Sequence, residues 1–114
     1  MVHYYTPEEA NKVLPKISTL VTRAVELKAK LDRSSERERG ALMEELTAAV
    51  SKIEELGVEL KDLDSGLIDF PAKKFNEQVY LCWKLGEDEI LYWHNMTEGF
   101  RGRKLLKPET AQIR

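Results

Sequence analysis

The 114-residue chain is 33% charged and 42% hydrophobic, with a formal net charge of −2. That suits one folded domain burying roughly two-thirds of the surface its unfolded chain would expose. So small an acidic excess gives no general field for nucleic acid, no apolar run is long enough for a membrane span, and the N-terminus lacks the basic-then-apolar pattern of a signal peptide, so a cytoplasmic protein is expected. The single cysteine, Cys82, excludes an internal disulfide and any multi-cysteine zinc site within one chain. A metal here would rely on carboxylates and imidazole.

The first predicted element is a long helix from "TPEEANKVLPKISTLVTRAVELKAKLD", where Val13, Ile17, Leu20, Ala24, Leu27 and Leu31 recur at spacings of 4, 3, 4, 3 and 4. Thr6 as N-cap, Pro7 in the first turn and Glu9 three residues after the cap mark its start. Pro15 lies inside the stretch and predicts a kink or an irregular turn over residues 11–15. A second helix follows, capped by Ser35 and Glu38, carrying Leu42, Leu46, Ala49, Ile53 and Leu56, and stopped by Gly57. The short polar link from Asp32 to Ser35 makes the two helices an antiparallel, coiled-coil-like hairpin over 6–57. Leu14, Val21, Met43 and Val50 widen the apolar stripe beyond a two-helix seam, which requires a third body: the sheet that follows, or the hairpin of another subunit.

From Val58 the apolar period becomes 2. "VELKD", the short run "GLIDFP" ended by its proline, and two strands in "EQVYLCWKLGEDEILYWH" around an acidic turn at Gly86 to Asp88 predict an antiparallel sheet of three or four strands over 58–96. Residues 97–114 show no period and are expected as an extended tail, packing through Phe100, Leu105 and Leu106. The fold class is therefore α+β, a helical hairpin on a small antiparallel sheet. Within the last hairpin, pairing Leu81 with Trp93 gathers Val79, Leu81, Trp83, Leu91 and Trp93 on one face for the helices to cover. The other face then holds Tyr80, Cys82, Lys84, Ile90, Tyr92 and His94, with Tyr80 opposite His94 and Cys82 opposite Tyr92.

Several residues on or near that second face could carry chemistry. His94 could ligate a metal or act as a general base, because imidazole titrates near neutrality; the alternative is a strand-end histidine bonded to a tyrosine or a carbonyl. Cys82, mid-strand between Leu81 and Trp83, reads as a small buried hydrophobe rather than a nucleophile. Two of Asp62, Asp64 and Asp69 could join His94 in a carboxylate and imidazole metal site, but Asp62 and Asp64 with Ser65 and Gly66 also have an ordinary turn composition, whereas Asp69, flanked by Ile68 and Phe70, needs a partner wherever it is buried. Glu87, Asp88 and Glu89 form the acidic turn, and Arg101, Arg103, Lys104 and Lys107 give the tail a positive charge that could clamp an anion or remain surface charge. No glycine-rich phosphate loop, Ser–His–Asp ordering or paired-histidine helix occurs.

"YTPEEAN", Leu14-Pro15, "LGVELKDLDSGLIDFPA", "VYLCWKLGEDEILYWH" and "GFRGR" together resemble a prokaryotic domain-of-unknown-function family, number 2203, from Tyr5 to Arg103. The resemblance implies no substrate. It does add weight to Asp62, Asp69, Glu87, His94 and Arg103, the polar members of its motifs, as one set. Two expectations follow. In the first, those five residues converge at one edge of the sheet of a homo-oligomer to hold a small anionic ligand or a divalent metal, with Asp69 and His94 as the metal ligands. In the second, a homodimer formed through Val21 and Val50 is a structural or interaction protein with no ligand site. Neither decides whether the chain is an enzyme.

Overall fold

A computed structural model describes residues 2–107 and 113. Helices α1 (Pro7–Asp32) and α2 (Glu36–Glu55) precede strands β1 (Glu59–Asp62), β2 (Leu67–Lys74), β3 (Glu77–Lys84) and β4 (Tyr92–Asn95), a one-turn 3-10 helix at Phe100–Gly102, and β5 (Lys104–Leu105). All pairings are antiparallel and the strands lie in chain order, β1-β2-β3-β4-β5. Among the described residues the sheet thus has five strands rather than three or four. The fifth comes from the segment expected as a tail, which turns back and pairs Tyr92 with Leu105 and Trp93 with Lys104.

The helix ends are set locally. At α1 the Thr6 hydroxyl accepts from the Glu9 N–H and the Glu9 carboxylate accepts from the Thr6 N–H, so the reciprocal cap satisfies two donors that have no partner within the helix. At α2 the Glu38 carboxylate accepts from both the N–H and the hydroxyl of Ser35. Gly57, at φ 79°, follows the end of α2 in the left-handed conformation that glycine adopts without strain. No irregular turn interrupts residues 11–15, since α1 is helical from Pro7 through Pro15 to Asp32.

The third body against the hairpin is the chain's own sheet. Of the residues that widen the stripe, Leu14 and Val21 of α1 are buried, whereas on α2 Val50 is partly buried and Met43 is 45% exposed; Val13 and Leu20 of the expected seam are only partly buried. The β1–β2 turn meets the helix at Gly66 (φ 72°), where a Cβ would lie 3.0 Å from Val21 Cγ1 and 2.8 Å from Leu85 Cβ. The sheet face toward the helices carries Ile68, Phe70, Ala72, Val79, Leu81, Trp83 and Trp93, all in the core.

Two local expectations are overturned. β2 does not stop at Pro71 but runs to Lys74. β1 ends its pairing at Glu59–Asp69, so on that flank Pro71 has no strand beside it and the N–H it lacks was not needed for a ladder; its carbonyl accepts from Tyr5 N–H instead. In the last hairpin, strand pairing resumes only at Tyr92, and residues 85–91 form a loop. Period 2 fails there, so Ile90 is buried with its N–H donated to Asn11 Oδ1 of α1, and Leu91, expected in the core, is 41% exposed.

Candidate functional site

The outer face of the sheet is where the polar residues meet. The β3–β4 register is the expected one, with Tyr80 opposite His94, Leu81 opposite Trp93 and Cys82 opposite Tyr92. In the β2–β3 pairing Asp69 lies opposite Cys82. Asp69, Cys82 and His94 therefore sit on adjacent strands, side chains on one face, with His94 one diagonal step from Cys82. This is the middle of the sheet, not an edge.

All three are buried, and among the described residues Asp69 and His94 are the buried ones of the polar and charged types, exposed by 3% and 2%. His94 Nδ1 lies 2.8 Å from the Asn95 carbonyl, which can only accept, so Nδ1 carries a hydrogen. Nε2 lies 3.0 Å from Asp69 Oδ1. Burial alone would push the imidazole down, but the Asp69 carboxylate, the Cys82 side chain and the Asn95 carbonyl favour the charged ring and raise it to about 10. The two groups are hydrogen-bonded to each other out of water, and this setting favours the charged form of the ring. Among the described residues, Asp69, Cys82 and His94 are the one group of potential metal ligands whose donor atoms all lie within 4.8 Å of one another.

A cavity of about 180 Å³ opens above Asp69 and His94, walled by Tyr80, Lys61 and the segment Met96 to Phe100. Tyr80 donates to Glu59 Oε2 at 2.8 Å, and burial followed by the Glu59 charge pushes its hydroxyl up to about 12. The wall is held from behind by Arg103, which makes two parallel bonds to the Glu87 carboxylate at 2.6 and 2.8 Å, donates to the Cys82 carbonyl at 3.2 Å and stacks over Tyr92 at 4.0 Å. Glu87 is partly buried, which raises its carboxyl, but the Arg103 guanidinium and the Lys84 N–H outweigh this and leave it below the usual range. Its carbonyl also accepts from Trp83 Nε1 at 3.0 Å. Glu87 and Arg103 thus form a latch between the 85–91 loop and the returning C-terminal segment.

Of the five expected site residues, Asp69 and His94 meet directly, and Glu87 and Arg103 meet each other behind them. Asp62 does not join. Its carboxylate accepts from the N–H and hydroxyl of Ser65, which hold it below the usual range and close the β1–β2 turn. Asp64 pairs with Lys28 at 3.0 Å on the helix side. Cys82 is the donor the sequence reading set aside. The signal for it lay in the β2–β3 hairpin, where an odd residue of β2 faces an even residue of β3, which puts Asp69 on the Cys82 face. A family model described as "Uncharacterized conserved protein (DUF2203)" matches residues 3–106, a span containing every strand and all five residues. No curated protein and no solved structure matches the chain.

Proposed function

Taking as premise that the chain belongs to the DUF2203 family, we propose that it is a small module binding one divalent metal ion through Asp69 and His94. The observation that carries this reading is the buried pair itself, Nε2 to Oδ1 at 3.0 Å, at the floor of a cavity. Burying two charges is costly, and a chain gains little stability by doing so compared with apolar side chains of the same size. A site that exchanges a proton for a metal ion accounts for keeping them. The ring is already set for ligation, since Nδ1–H on the Asn95 carbonyl fixes the tautomer that leaves Nε2 for a metal.

An anionic ligand is less well served. Both cations that line the cavity are matched already, Lys61 to Glu59 at 2.7 Å and His94 to Asp69, and Arg103 is committed to Glu87. A cation taken up between Asp69 and His94 leaves every other pair intact. Ligation expels the His94 proton, so apparent affinity rises with pH. Calorimetric titration of untagged, chelator-treated protein with zinc tests the reading. One ion per chain, with a higher melting temperature in wild type and none of either in His94→Gln, is the expected result. Absence of binding to wild type would reject it.

A further inference from the structure

We infer that Cys82 is the third ligand of this centre, and that the ion it takes is thiophilic, of the zinc and cobalt class, rather than magnesium or calcium. This rests on the metal reading above and adds the donor that decides which metal binds. Cys82 is directly opposite Asp69 and diagonal to His94, and its Sγ lies within 4.8 Å of a carboxylate oxygen of the one and a ring nitrogen of the other. A tetrahedral zinc with bonds of about 2.3 Å to sulfur and about 2.0–2.2 Å to nitrogen and oxygen spaces its donors by about 3.4–3.6 Å. To seat such an ion the Nε2–Oδ1 separation of 3.0 Å would open slightly, and the separations from Sγ, which are within 4.8 Å, would close by little more than an ångström at most.

The donors are one sulfur, one nitrogen and one oxygen. Magnesium and calcium call for six or more oxygens and find too few here, whereas borderline-soft ions accept this mixture. The cavity touches Asp69 and His94 but not Cys82, so the thiol forms the back of the site and the remaining coordination position faces the cavity, between Tyr80 and Phe100. Three protein ligands with one open position is the layout of a site that exchanges a small ligand, not of a closed structural one.

Cobalt(II) is the probe. The chain has one cysteine, so a thiolate-to-cobalt charge-transfer band in the near ultraviolet of the loaded wild-type protein can come only from Cys82. That band is expected together with the strong visible bands of four-coordinate cobalt, and azide should shift the visible bands through the open position. In Cys82→Ser the near-ultraviolet band should vanish, and zinc affinity should fall by more than the about 10–100-fold typical of losing an outer partner. Cobalt bound to wild type without the band would remove Cys82 as a ligand while leaving the metal reading standing. No binding of cobalt or zinc would remove both, and tighter binding of magnesium than zinc would overturn the class of ion. The wild-type spectrum decides even if the variant does not fold.

Discussion

Asp69 and Phe70 are consecutive in β2 and almost equally hidden, at 3% and 0% exposure, but they are buried by different means. Phe70 points to the helices, with the Tyr5 ring edge-on at 5.2 Å, and its burial follows from apolar area at about 25 cal/mol per Å². Asp69 points the other way, beneath a 3-10 turn, and is tolerated there because His94 neutralises it. The inner face is held by apolar contact rather than by ion pairs. The outer face is held by matched pairs, each of which fails when one member is removed, and this makes it the face a ligand can remodel.

Urea unfolding across pH separates the two faces. Phe70→Ala should have the largest effect, about 3–5 kcal/mol from lost contact and residual cavity, and the loss should be the same at pH 6 and pH 9. Asp69→Ala, which strands a buried imidazolium, should cost about 3–5 kcal/mol near pH 6, but this cost should shrink at higher pH. The sign follows from His94. Its folded value, raised to about 10 from an ordinary 6.5, contributes stability that is fully present below about pH 6.5 and lost as pH rises toward 10. If the two substitutions showed the same pH profile, the distinction between the faces would collapse.

Glu87→Gln weakens the latch by removing a charge-assisted partner of Arg103 and should cost about 1.5–3 kcal/mol. It should also raise hydrogen-exchange rates over residues 96–105 while leaving those of the helices unchanged; uniform acceleration would show that the cover is not a separate unit. The smallest effect belongs to Lys104→Ala, which removes an exposed pair with Glu98 and should cost no more than about 1 kcal/mol by thermal melting. A larger loss would mean that β5 anchors the cover more than Arg103 does.

The helical hairpin was legible because its signals are local. A capping box, a glycine stop and a 3-4 spacing act within one or two turns, and they placed both helices. The β3–β4 register was legible for a related reason, since only one pairing separates Leu81 and Trp93 from Tyr80 and His94. Sequence alone could not show that residues 85–91 leave the ladder, because Ile90 is drawn inward by Asn11 of a helix 79 positions away. It could not show that Arg103 returns to Glu87, which makes a latch of a presumed tail.

Composition and periodicity thus determined the α+β class, the two helices and the side of the last hairpin that bears Tyr80, Cys82 and His94. Only the tertiary structure decided that Asp69 faces Cys82 and bonds His94, that Asp62 stays in its turn, and that a fifth strand carries the cover over them. The physical reason is range. Backbone and side-chain preferences act over a few residues, whereas the hydrogen bond between Asp69 of β2 and His94 of β4 exists because β3 holds those two strands at a fixed register on either side of it.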